Sequence, residues 1–293
     1  MSWAFGPLAP FDTESTAPDP EVARIVSATV AHVVPGAETQ IVEHLVAVED
    51  EIPAGAVEIH GITTEHAQAN GKPLAEVAEA VASHLTELMA AGTPIVGMNL
   101  SYDITLLQRE LFRCGLDSLE DRGLRRIAPL IDVFVIDKAI DRYRKGGRKL
   151  TDLCEFYGVR LDGAHDATFD ALGAARVAYK MCQRAMLALE NPRAVADLYA
   201  DRPRQQSHIV RAFQELGRMS IADLHGAQAV WYAAQAESFA GYLRQKANEA
   251  QHQAERSEDA AERTTLLADA EELRTRADGV GADWPLRPLG GAA

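Results

Sequence analysis

Asp12 and Glu14 stand one residue apart in Phe11-Asp12-Thr13-Glu14-Ser15. On an extended strand alternate side chains share a face, so both carboxylates project from one side. Two anions that close need a cation between them or a shared proton. With no Cys or His beside the pair, a hard divalent ion such as Mg2+ or Mn2+ suits it better than zinc. Asp103 opens a helix in Asn99-Leu100-Ser101-Tyr102-Asp103, where the helix dipole also favours an acid. His165 and Asp170 are five residues apart. Within one helix that is about 500° of rotation, roughly 140° off a common face, so the two meet only if His165 sits on the loop before the helix. Jointly, Asp12, Glu14, Asp103 and Asp170 can hold two divalent ions about 4 Å apart. A neutral His at the rim can take the proton of an activated water near neutral pH.

These segments resemble the three exonuclease motifs of the DnaQ-like (DEDDh) 3′–5′ exonuclease superfamily. That superfamily includes the proofreading subunit of bacterial DNA polymerase III, RNase T and oligoribonuclease. Phe11 through Thr16 looks like the first motif, Asn99 through Asp103 like the second, and His165 with Asp170 like the third. His60-Gly61-Ile62-Thr63 matches a loop of the polymerase III type, and the resemblance covers about residues 5–188. It implies an RNase H-like α/β fold with Asp12, Glu14, Asp103 and Asp170 as ligands of two Mg2+ or Mn2+ ions and His165 as general base. It also sets Thr13 and Thr16 against the terminal nucleotide and Asn99 on the substrate side. The implied activity is removal of nucleotides from single-stranded or frayed DNA 3′ ends in repair or proofreading. RNA 3′-end trimming and a non-catalytic nucleic-acid-binding scaffold are the alternatives. Met98 replaces a common His and Ala17 a common Gly, departures that bear on substrate preference.

The elements that must position these groups are legible in outline. Arg24–Val34 and Ile41–Val48 read as strands, and Pro73 opens an amphipathic helix with Leu74, Val77, Val81, Leu85 and Leu88 on one stripe. Ile95–Asn99 is a short buried strand, followed by a helix from Tyr102 to Cys114. A strand-like Pro-Leu-Ile-Asp-Val run, a helix over Leu150–Tyr157 and a long helix from near His165 complete a mixed sheet with flanking helices. Pro7 and Pro10 interrupt the strand bearing Asp12, so a missing N–H must be absorbed at an edge or bulge.

Beyond Asn191-Pro192 the composition turns to Ala, Gln, Glu and Arg. Residues 1–190 are therefore expected to form the exonuclease domain and 191–293 an α-helical C-terminal extension of unknown role. Its aromatic stripe (Trp231, Phe239, Tyr242) reads first as a packing face. The sharper reading is a dock for a polymerase, another protein or a second copy. If that region only recruits partners, truncation after Glu190 leaves activity intact.

The formal charge of −14 over 293 residues argues against a protein that grips nucleic acid with its whole surface. The basic residues cluster instead between Arg122 and Lys149. Within that cluster Arg144, Lys145, Arg148 and Lys149 surround a Gly-Gly break and are candidates to hold substrate phosphates. Three scattered cysteines argue against a disulfide framework. No apolar run approaches the roughly 20 residues of a membrane span. No basic segment with an apolar core opens the chain, and a cytoplasmic location is expected.

Overall fold

The computed structural model describes residues 3–124, 126–160 and 167–288, with side chains described from 171 onward in the last stretch. In chain order the elements are β1 (Ala9–Ser15), β2 (Ile25–His32), β3 (Gln40–Leu45), α1 (Ala54–His60), α2 (Thr64–Asn70), α3 (Leu74–Ala90), β4 (Ile95–Gly97) and α4 (Leu100–Arg113). There follow β5 (Leu130–Asp132), α5 (Val133–Ile140), α6 (Leu150–Tyr157), α7 (Ala167–Glu190), α8 (Pro192–Asp197), α9 (Gln206–Arg218), α10 (Ile221–Arg256) and α11 (Ala260–Asp278). The sheet order is β3-β2-β1-β4-β5, antiparallel across β3-β2-β1 and parallel across β1-β4-β5. This is the expected RNase H-like mixed sheet flanked by helices.

β1 lies in the middle of the sheet because its alternate residues suit two environments. Phe11 and Thr13 are buried, while Asp12 and Glu14 between them are half-buried. Pro10 sits in this central strand rather than at an edge. Pairing with β2 runs as a bridge at Leu8–Val33 and resumes at Phe11–Val30, so the proline falls in a gap of the ladder. The register shifts between Glu14 and Ser15, a bulge that bends the strand where the acids emerge. At the end of β4, a Cβ on Gly97 would meet the Phe11 carbonyl oxygen at 2.8 Å. Only glycine lets the turn into α4 come this close to β1.

β5 is the sheet edge, and side chains rather than a further strand cover it. Gln228 of α10 accepts from the Asp132 N–H at 2.6 Å and donates to the Leu130 carbonyl at 2.9 Å. His225 Nδ1 accepts from the Leu130 N–H at 3.3 Å. Both groups are buried, and they satisfy edge donors and acceptors that would otherwise be lost.

The chain forms two compact units, 1–228 and 229–293. The compositional boundary at Asn191 therefore lies inside the first unit, where α8 and α9 pack against α7. Ile209, Val210, Phe213 and Leu216 form the buried stripe of α9, and Trp3 Nε1 donates to the Leu216 carbonyl at 3.2 Å. In the second unit Arg244 pairs with Asp278 at 3.1 Å, and Arg274 donates to Gln251. Phe239 and Tyr242 are exposed there, contrary to a packing role, whereas Leu243 and Ala247 are buried. Among the described residues no helix is long and apolar enough to cross a membrane.

Candidate active site

Thr13, the residue between the two motif-one acids, reaches across to the helix of motif two. Its N–H and its hydroxyl both donate to Asp103 Oδ1, at 3.1 and 2.6 Å. The strand thus presents Asp12 and Glu14 while its intervening residue holds the third acid. Thr13 is buried and both of its donors are spent on Asp103. The expected contact of Thr13 with a nucleotide gives way to a role in orienting a carboxylate. Thr16 is likewise engaged: its hydroxyl accepts from the Arg24 N–H at 2.9 Å and bridges the turn after β1.

A second link joins the residues next to Glu14 and Asp103. Tyr102 and Ser15 share a hydrogen bond at 2.5 Å, and the Tyr102 hydroxyl donates to the Ala17 carbonyl at 2.5 Å. Burial and the nearby charges of Asp103, Asp19 and Glu14 push the Tyr102 phenol above its usual range. Farther along α4, Arg109 holds Glu21 bidentately at 2.7 and 2.9 Å. Glu110, fully buried, takes Arg24 at 2.9 Å and the Ile25 N–H at 3.1 Å. The loop between β1 and β2 is therefore strapped to α4 along its length.

Asn99 precedes α4 in the left-handed region (φ 63°), which asparagine tolerates better than most residues. Its N–H donates to Asp132 Oδ1 at 3.0 Å, and that oxygen also accepts from Phe134 and Val135 at the start of α5. Asn99 is exposed. Asp103, in the first turn of α4, is buried at 4% exposure. Its carboxyl is pushed up to about 7, chiefly by burial and further by the charge of Asp132, against the two bonds from Thr13.

Among the basic candidates, two turn out to be structural. Asp137 is fully buried on α5 and is held by Arg144 at 3.1 Å, Arg148 at 2.8 Å and the Tyr157 hydroxyl at 3.0 Å. Arg144 also lies over the Phe156 ring, 4.7 Å from its centroid. These guanidiniums neutralise a buried carboxylate, against the phosphate-binding role expected of Arg144 and Arg148. Lys145 and Lys149, by contrast, are exposed. Arg144→Ala should therefore cost about 3–5 kcal/mol of stability in denaturant unfolding, because a buried charge loses a partner. Lys145→Ala with Lys149→Ala should leave stability within about 0.5 kcal/mol.

His165 lies outside the described residues. Asp170 falls in the first turn of α7, a helix that packs on β1, but its side chain is not among those described. Among the described residues no three His, Cys, Asp or Glu side chains form a group that could hold a metal. The donor chemistry still fits a divalent ion. The acids are all hard oxygen donors, and a buried carboxyl resting near neutrality beside a second acid is the kind of group that a cation relieves.

Residues 10–178 match the RNase T family, described as exonucleases. The chain belongs to that family. With it comes membership of the DnaQ-like 3′–5′ exonuclease superfamily that the motifs resemble. The exonuclease I of Methylocaldum szegediense, a moderately thermophilic enzyme, is 20% identical with a TM-score of 0.51, over 69% of this chain and 44% of that one. E. coli exonuclease I in complex with a dT13 oligonucleotide is 20% identical with a TM-score of 0.48, over 69% of this chain and 45% of that one. The chain thus spans less than half the length of these solved structures. No curated protein matches it.

Within the RNase T family frame, several supporting residues were not legible beforehand. Tyr102 and Ser15 were visible only as neighbours of motif acids. Asp132 and Gln228 are joined by a hydrogen bond between residues 96 apart, and no local pattern signals such a pair.

Proposed function

We propose that this protein is a metal-dependent 3′–5′ exonuclease that removes nucleotides from single-stranded or frayed DNA ends, in repair or proofreading. What supports the reading most is the Thr13–Asp103 clamp, which ties the strand bearing Asp12 and Glu14 to the helix bearing the third acid. Family membership over residues 10–178 agrees with it.

Asp12, Glu14, Asp103 and Asp170 would hold two Mg2+ or Mn2+ ions. Bound there, the ions lower the pKa of a water and offset charge on the scissile phosphate and the leaving 3′ oxygen. Asp103 is kept in place by Thr13, which fixes one of its carboxylate oxygens. Tyr102 and Ser15 keep the loop after β1 closed on α4. Asn99, exposed just before α4, would offer its side-chain amide to the terminal nucleotide. His165 would take the proton of the attacking water, a task suited to a group titrating near neutral pH.

The test uses 3′-labelled DNA and RNA oligonucleotides with purified protein. Stepwise release of 3′ nucleotides from DNA should require Mg2+ or Mn2+, stop with EDTA and disappear in Asp12→Ala without loss of folding. Faster trimming of RNA would move the substrate assignment. Nucleic-acid binding without cleavage under any of these metals would reduce the protein to a scaffold.

A further inference from the structure

A cavity of about 540 Å3 opens between the start of β1, the end of β2, the segment after α6 and one flank of α7. Leu8, Val33, Leu172 and Tyr179 supply apolar wall. Arg160, Arg176 and Lys180 also line it, and among the described residues no carboxylate does. Arg176 donates to the Arg160 carbonyl at 3.2 Å, and none of the three cations forms an ion pair among the described residues. In a chain of formal charge −14, three cations gathered around an apolar hollow run against the trend. Beside the hollow, Phe5 packs on Tyr179 with ring centroids 5.3 Å apart, and each ring is 42% exposed.

This combination is what single-stranded nucleic acid requires. Cations track the phosphates, and aromatic faces with apolar wall take a base of any identity. The volume lies in the range of ordinary small-ligand pockets. Position adds to the case. Leu8, just before β1, precedes Asp12 by four residues, about 13 Å at roughly 3.3 Å per residue. Arg160 lies five residues before His165, and Leu172 two residues after Asp170, so the cavity adjoins the third motif from both sides in sequence. At about 3.4 Å per nucleotide when stacked and more when extended, 13 Å corresponds to roughly two to four nucleotides.

We propose that this cavity is a second binding site for the substrate strand. It seats a base two to four nucleotides on the 5′ side of the bond being cut against Tyr179, with the adjoining phosphates on Arg160, Arg176 and Lys180. The assignment rests on the exonuclease reading above and gives it a length preference. This flank then holds the strand at a point separate from the metal site.

The experiment compares the full chain with the double variant Arg176→Glu, Lys180→Glu and, separately, Tyr179→Ala, on (dT)2 and (dT)8 with Mg2+. For the double variant, KM on (dT)8 should rise tenfold or more with kcat unchanged, while kcat/KM on (dT)2 stays within twofold. Tyr179→Ala should move KM in the same direction on (dT)8 only. Equal losses on both substrates, or none on either, overturn the proposal. Binding of labelled (dT)8 in EDTA is read independently of cleavage, and its salt slope should become shallower by about 1.4 when two phosphate contacts are lost. A wild-type protein that binds (dT)8 with this slope change but cuts nothing sinks the exonuclease reading and leaves the cavity as a strand site. Labelled hexaglutamate captured by the wild type and not by the double variant, with (dT)8 binding equal in both, overturns the proposal in favour of an acidic protein partner.

Discussion

Truncation after Glu190 should yield a protein that does not fold, whereas truncation after Gln235 should yield a folded one that retains the candidate active site. The first cut removes Val195, Tyr199, Ile209, Phe213, Leu216 and Leu224, all at or below 2% exposure. At about 1.5–3 kcal/mol for each large buried side chain, the loss is on the order of 10 kcal/mol, comparable with the whole stability of a domain. It also strands charges. Arg184 of α7 lies over the rings of Tyr199 and Phe213 and donates to the Tyr199 hydroxyl at 2.8 Å. Arg202 pairs with Asp141, which is itself nearly buried. Removal of His225 and Gln228 leaves the β5 edge open and frees Asp132, on which the Asn99 N–H depends. The second cut keeps every one of these contacts, because the first compact unit ends at Gln228. Circular dichroism melts and gel filtration of the two truncations decide the matter. A cooperative melt from the 1–190 fragment would show that α8 and α9 are accessory and restore Asn191 as the domain boundary.

That boundary illustrates what can be read locally. A change in composition at Asn191 is real, but composition reports solvent-facing residues, whereas a compact unit is defined by buried ones. The stripe Ile209, Val210, Phe213 and Leu216 has helical spacing, yet its partner face on α7 lies twenty or more residues earlier and leaves no mark beside it. β1 was legible because period-two alternation puts Phe11 and Thr13 inward and the acids outward within five residues. Asp103 was legible because a buried strand, a turn and a helix start follow one another without interruption. The basic run was legible as charge but not as function. Arg144 and Lys145 are neighbours in sequence, and only Asp137, brought alongside by the fold, separates the buried cation from the exposed one. Thr13 was ambiguous for a similar reason: a hydroxyl beside metal-binding acids can serve a nucleotide or a carboxylate, and α4 decides which.

Asp103→Asn should abolish cleavage and, in metal-free buffer above pH 7, make the protein more stable than the wild type. In the folded wild type the Asp103 carboxyl rests at about 7 because it is buried near Asp132, whereas in the unfolded chain it ionises in the ordinary carboxylate range. The folded state therefore holds this proton more tightly than the unfolded state. Its contribution to stability is fully present below pH 4, is lost progressively as pH rises from about 4 to about 7, and stays lost above. Scaled at about 1.4 kcal/mol per tenfold difference in proton affinity, the upper bound is on the order of 4 kcal/mol. Asparagine keeps an oxygen to accept both Thr13 donors and carries no charge, so its stability should be flat across that window. Divalent ions compete with the same proton, so in the wild type their apparent affinity should climb as much as tenfold per pH unit towards 7 and level off beyond it. Added Mg2+ should then return to the wild type the stability that ionisation removes, and give nothing comparable to the variant. Unfolding melts at pH 5 and pH 8, each with EDTA and with Mg2+, carry the whole comparison. A variant less stable than wild type in EDTA at pH 8 would mean that Asp103 is stabilised as an anion by the protein alone. In that case the fold would have built its own counter-charge, and a metal would not be what this carboxylate awaits.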